Sequence, residues 1–345
     1  MQKRLVVLTD GCSEPITAKT AVSVIRYGHD KVIALLDTTQ PGKTSQELLG
    51  IGGDIPVVAN LKDAGEADVL LIGIAPPGGR MPPQWRPILL EAIRLGMDIV
   101  SGLHDFISED PELVSAAKEF GVVINDVRKN DEHEVANRVG IRPECLRIQA
   151  IGQDCCVGKK VVAIEVARAL QQRGSDAKFV ATGQTGIMIE GDGCPVDTVV
   201  ADFINGAGEK LVLQNQHHDI LVFEGQGSLA HPRYSAVTLG LLHGAMPHGM
   251  ILCYEAGREG IHNMEQIPLT SLSQLRTAYE TMANLMHPSQ VIGVAMNSRL
   301  LGDDESQQER ERVGKELGLP VCDVLRHGPN DLVEAVLKMQ QEFVG

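Results

Sequence analysis

The sequence predicts an α/β protein built from two doubly wound, mainly parallel sheets, and three observations carry that prediction. Short β-branched apolar runs alternate with helix-sized connectors along the whole chain. At 345 residues the chain is long enough for two cores of ordinary size. A charged stretch without strand character, residues 128 to 144, falls between two such series and marks the boundary.

The first series of strand-like runs is Leu5 to Leu8, Val32 to Leu36, Val57 to Ala59, Val69 to Ile74, Ile99 to Ser101 and Val122 to Ile124. Between the last two, Asp110 can cap a helix that Pro111 starts and Gly121 stops. The second series is Cys145 to Ile151, Ala177 to Thr182, Ile220 to Glu224, Met250 to Tyr254, Val291 to Asn297 and Val321 to Leu325. Helical patterns cover 159–172, 196–212, 271–286, 304–317 and 330–342. Residues 1–140 are expected to form a Rossmann-like domain and 141–345 a P-loop NTPase-like domain.

Composition narrows the partners. With 31 basic and 45 acidic residues the formal charge is -14, which repels nucleic acid and anionic lipid, so a small-molecule substrate is expected. No apolar stretch has the length of a membrane span and the N-terminus lacks a signal-peptide layout, so the expected location is the cytoplasm. Seven cysteines without a CxxC pair give neither a disulfide framework nor a zinc site, and no histidine pair has ligand spacing with a third ligand nearby, so no metal is expected. The apolar run "VTLGLLHGAM" (237–246) could serve a core or the interface of a homo-oligomer.

The stretch "GQDCCVGKK" (152–160) follows a strand-like run and precedes a helix, the setting in which a glycine-rich loop holds phosphate on backbone N–H groups and a helix N-terminus. Gly152, Asp154, Val157, Gly158 and Lys159 form the expected cradle. Lys160 stands where such loops ordinarily carry the Ser or Thr that holds magnesium. Thr182, Gly183, Gln184, Thr185 and Gly186 make a turn after the next strand, whose N–H groups and hydroxyls could meet an oxyanion or phosphate. Glu224, at the end of a third strand, is the candidate base, with His231 as runner-up. Arg233 and Arg258 offer guanidinium forks for substrate carboxylates, and Asp197 could meet an amine.

The five-residue spacing of Gly152 and Gly158, "ILVFEGQGSL" and Asn297 at a strand's end resemble dethiobiotin synthetase and its P-loop relatives. "GQDCCVGKK", "ATGQTGIMI", "VADFINGAGEKLV" and "EGQGSLAHPRYSAVTLGLLHGAMPHGMILCYEAGR" resemble, more specifically, the D-glutamate N-acetyltransferase (DgcN-like) family. That resemblance implies acetyl transfer from acetyl-CoA to the amine of an acidic D-amino acid, with the loop on the donor's phosphates. The first domain is more weakly similar to the CoA-binding domain of the succinyl-CoA synthetase α chain, through Pro41-Gly42-Lys43 and Pro76-Pro77. Its first loop has a single glycine, Gly11, where a dinucleotide site has several, and Lys19 and Lys43 are its candidate phosphate ligands.

Two other readings stay open at this point: an ATP-dependent kinase or ligase using Mg-ATP, and a nucleotide-binding sensor without turnover. Lys160 favours the acyltransferase, because a site that only anchors an anion gains from a second cation and needs no metal-bound hydroxyl.

Overall fold

The computed structural model describes residues 2–74 and 79–344. Pro76 and Pro77 lie outside the described residues. The chain divides into two compact units, one of residues 1–130 with 187–195, the other of 131–186 with 196–345.

The first unit holds strands β1 (Arg4–Leu8), β2 (Lys31–Leu36), β3 (Val57–Val58), β4 (Val69–Ile72), β5 (Asp98–Ser101) and β6 (Ile124–Asp126). They form one parallel sheet in the order β3-β2-β1-β4-β5-β6, the doubly wound Rossmann arrangement. The helices are α1 (Lys19–Tyr27), α2 (Ser45–Leu49), α3 (Arg86–Arg94) and α4 (Pro111–Phe120). In β1, Val6, Val7 and Leu8 are wholly buried, as a central strand covered on both faces requires. Asp110 caps α4 by accepting from the N–H groups of Glu112 and Leu113, and Gly121 ends it at φ +69°. β6 starts two residues later than its apolar run, because Val122 N–H returns to Ala117 O and Val123 N–H to Asp98.

The second unit holds β7 (Leu146–Gly152), α5 (Lys159–Gln172), β8 (Ala177–Val180), α6 (Gln184–Glu190), α7 (Ile204–Asn215), β9 (Ile220–Phe223), α8 (Ser235–Ala245) and β10 (Gly249–Glu255), α6 running on into the 187–195 segment of the first. A hairpin of β11 (Gly260–Ile261) and β12 (Met264–Pro268) follows, then α9 (Leu272–Asn284), β13 (Gln290–Asn297), α10 (Asp303–Leu317), β14 (Val321–Cys322) and α11 (Asn330–Val344). The sheet is parallel, in the order β14-β13-β10-β7-β9-β8. β7 and β10 are buried along their whole lengths.

Three departures from the sequence pattern have local causes. The helix expected over 196–212 begins only at Ile204, after two 3₁₀ turns, since Val200 is extended (ψ 138°). β14 stops at Cys322 because the Asp323 carboxylate turns the chain, accepting from Ser298 N and Oγ and from the N–H groups of Leu325 and Arg326. The run 237–246 is the core helix α8, which packs closely on α7. A side chain at Gly244 would sit 2.5 Å from Asn205 O, and one at Gly208 would sit 3.0 Å from Gly244 Cα.

Candidate functional site

The site is assembled at the carboxyl ends of β7, β8, β9 and β10, where an open α/β sheet presents its loops. The loop leaves β7 at Gly152 and enters α5 at Lys159, passing through a left-handed residue at Cys156 (φ +59°) and another at Gly158 (φ +107°). Lys159 folds back over the loop and donates from Nζ to Asp154 O at 2.8 Å. Gly152 lies close beneath it: a Cβ there would sit 2.9 Å from that Nζ and 3.1 Å from Asp154 O, so the lysine tail would have to shift. Val157 turns its side chain into the core, so only its backbone faces the site.

Asp154 was expected to touch a ligand, yet its carboxylate is wholly buried and organises the loop instead. Oδ1 accepts from Cys155 N–H at 2.7 Å; Oδ2 accepts from His262 N–H at 2.7 Å and from Arg258 Nη1 at 3.0 Å. Arg258 also donates to Cys155 O and pairs with Glu255, which pairs in turn with Arg299. The guanidinium proposed for substrate carboxylates is therefore engaged by two internal ones. Arg233 is exposed beside the site.

Two further clamps fix the loop. Tyr279 Oη donates to Gly152 O at 2.9 Å and accepts from Leu229 N–H at 3.2 Å, while burial raises its phenol to about 12. Ser228 Oγ donates to Gln153 O at 2.9 Å. Glu255, Arg299, Tyr279 and Ser228 were not singled out from the sequence. Only Glu255 left a trace there, as a carboxylate three residues before Arg258 at the end of a strand.

Glu224 follows β9 and is buried against the turn after β8. It accepts from the N–H groups of Thr182 (3.2 Å) and Gly183 (3.1 Å), and Thr182 Oγ1 donates to Glu224 O at 2.7 Å. The Thr182 and Gly183 donors of this turn are thus spent on Glu224, and α6 begins at Gln184. A Cβ at Gly186 would lie 2.4 Å from Glu224 Oε2, so glycine leaves room for the carboxylate. Burial pushes the Glu224 carboxyl above the usual range; the Lys160 charge and the two N–H groups pull it partly back, and Asp197 pushes it further up.

His231 is buried and its pKa is lowered, chiefly by that burial, with Asp154 opposing. Nδ1 accepts from Arg233 N–H at 3.1 Å, so the neutral ring carries its proton on Nε2, 3.7 Å from Asp154 Oδ1. With one nitrogen occupied and the other protonated, the ring has no lone pair left to act as base. The sequence indicated no metal-ligand cluster, whereas the structure brings ligand atoms of Asp154, Cys155 and His231 within 4.8 Å of one another. The donor set suits a cation poorly. A metal-bound histidine donates through its second nitrogen, while Nδ1 here accepts, and Arg258 already balances Asp154.

A cleft of about 290 Å³ opens beside the loop, lined among others by Gln153, Tyr254, Glu255, Arg258, Glu309 and Arg312. In the first unit, the corresponding strand ends are filled from within. Asp37, after β2, accepts from Gly11 N–H at 3.0 Å and from the hydroxyls of Thr39 and Ser13. Burial works to raise its pKa, but these bonds outweigh it and hold the carboxyl below the usual range. Lys19 and Lys43 are exposed.

Family models match both units: a DUF1611 P-loop domain of unknown function over residues 134–333 and the DUF1611 N-terminal Rossmann-like domain over 38–130. The chain belongs to the DUF1611 family. A crystal structure of a DUF1611 family protein from Anabaena variabilis superposes with a TM-score of 0.93 at 34% identity, covering 98% of this chain and all of the other. A D-glutamate N-acetyltransferase of Tritonibacter scottomollicae is 37% identical over 323 residues, 93% of this chain and 94% of that protein. One from a Pseudoalteromonas species is 36% identical over 273 residues, 77% of this chain and 80% of that one. No helix among the described residues is long and apolar enough to cross a membrane.

Proposed function

We propose that the chain is an acetyl-CoA-dependent N-acetyltransferase acting on the amine of an acidic amino acid, D-glutamate being the acceptor named for its two relatives. The observation that carries this reading is Glu224, a buried carboxylate of raised pKa, held beside the loop with the Lys160 cation acting on it. A carboxylate raised above its usual range is a stronger base than an exposed one and can take the proton of an attacking ammonium. Lys160 supplies permanently the positive charge that a phosphoryl-transfer site would draw from magnesium.

The loop, Lys159 and Lys160 receive an anionic oxygen of the donor, either a phosphate or the carbonyl oxygen as it gains charge. The neighbouring cleft lies at the lower end of ligand-pocket volumes, about 300–1,000 Å³. Its volume is too small for the whole donor.

Release of free CoA thiol from acetyl-CoA, followed with and without D-glutamate and with EDTA present throughout, tests the assignment. Release that depends on an acidic amino acid and ignores the chelator is expected. Magnesium-dependent ATP binding without CoA release would overturn it.

A further inference from the structure

The base and the loop of the proposed reaction lie together, and this constrains how the donor enters. In acetyl-CoA the pantetheine arm separates the diphosphate from the acyl carbon. If Glu224 takes the acceptor's proton, the acyl carbon must come to the loop, and the diphosphate lies away from it. A loop that meets a thioester carbonyl has a further use for its side chains, and one of them is a thiol.

Cys155 is half-buried in the loop, three residues before Gly158 at the N-terminus of α5. Its sulfur lies within 4.8 Å of His231 and Asp154 ligand atoms. His231 Nε2 is 3.7 Å from Asp154 Oδ1, beyond hydrogen-bond range, in a residue only 2% exposed. A buried donor placed there suits a sulfur anion or a carbonyl oxygen that gains charge. Asp154 adds little repulsion, because Arg258 balances it at 3.0 Å.

We infer that Cys155 is an acyl-carrying nucleophile, with His231 Nε2–H and the first N–H groups of α5 stabilising the charge that moves between its sulfur and the acetyl oxygen. This rests on the acetyltransferase reading above. The Cys155 thiol first gives its proton to solvent. Its thiolate attacks the acetyl carbonyl carbon, an S–C bond forms, and the bond between that carbon and the CoA sulfur breaks; CoA leaves as a thiolate with the electron pair and takes a proton from water. The deprotonated amine then attacks the Cys155 thioester, an N–C bond forms, the C–S bond breaks, and Cys155 departs as thiolate. Glu224 accepts the ammonium proton that frees the amine for attack, and the second proton, lost by the nitrogen after attack, goes to solvent.

Three of the buried cysteines fit this role poorly. Burial raises Cys145 to about 11 and Cys253 and Cys322 to about 12, so they remain thiols at neutral pH.

The test begins with the wild-type full chain and acetyl-CoA in the absence of acceptor. Intact-mass and peptide analysis should show one acetyl group on Cys155, removable by hydroxylamine and discharged by D-glutamate. Labelled CoA should exchange into acetyl-CoA without acceptor, and Cys155→Ala should lose both exchange and turnover by more than about 100-fold. Cys155→Ser, nearly isosteric, should keep the fold and either trap the acetyl group or lose exchange. Turnover in wild type with full activity in Cys155→Ala, or an adduct on Cys156 alone, would overturn this inference and leave the acetyltransferase reading standing. Absence of any acceptor-dependent CoA release in wild type would overturn both.

Discussion

Removing the Asp154 carboxylate is the most informative perturbation of the loop. Asp154→Ala deprives the partly buried Arg258 of one of its two carboxylates and leaves the N–H groups of Cys155 and His262 without their acceptor. Breaking a buried pair by deleting one partner costs about 3–5 kcal/mol, and the stranded N–H groups keep the cost in that range although Glu255 still holds Arg258. For a unit of this size each kcal/mol lowers the midpoint by about 2–4 °C, so calorimetry of the full chain should show the transition of the second unit falling by roughly 6–20 °C. The loss should change little between low and high salt, since a buried pair is weakly screened. Asp154→Ala combined with Arg258→Met should be less destabilising than the sum of the two, by about 1–3 kcal/mol, because the second change removes the charge the first one strands. Strict additivity, or a shift of less than about 2 °C for Asp154→Ala, would refute the reasoning that this pair holds the loop.

Glu224→Gln should lower kcat by about 10²–10⁴-fold and abolish an acid limb that, in wild type, lies above the ordinary carboxylate range near about 4.3. The sign for stability is the reverse of a surface carboxylate. The folded pKa is raised, so the contribution of Glu224 is fully present below its unfolded pKa and is lost as pH rises through the folded one; urea melts from pH 5 to 8 should show wild type losing ground to Glu224→Gln. Gly225→Ala should cost about 3 kcal/mol in the same melts, because its Cβ would sit 1.7 Å from Ala150 O. Tyr279→Phe removes the acceptor of Leu229 N–H and should cost about 1–3 kcal/mol, with faster hydrogen exchange at Leu229. Lys159→Ala should lower kcat by about 10²–10³-fold with a smaller change in acetyl-CoA affinity; an unchanged kcat would make the loop structural.

Much of the fold was legible because its strands are short, β-branched and punctuated. Residues 159–172 read as a helix from their apolar spacing and form one over the same span, and the Asp110, Pro111 and Gly121 signals bound α4 as expected. α8 was not among the expected helices; its run 237–246 was read only as apolar, and in the fold its Gly240 and Gly244 allow close approach to α7. The site was legible as a set of strand ends and a loop. What escaped was the direction in which each polar group faces. Asp154, Arg258 and the N–H groups of 182–183 carry the residue types of a ligand site, but their partners come from segments 40 to 110 residues away, which no local spacing records.

The ties on the loop also bear on the kinetics of whatever binds there. Asp154, Tyr279 and Ser228 tie it to three separate segments through the protein's own groups, so a ligand arriving there does not have to order it at the expense of its own affinity. Discrimination between good and poor donors would then reside in how long each stays, and a panel of donor analogues should differ in dissociation rate far more than in association rate.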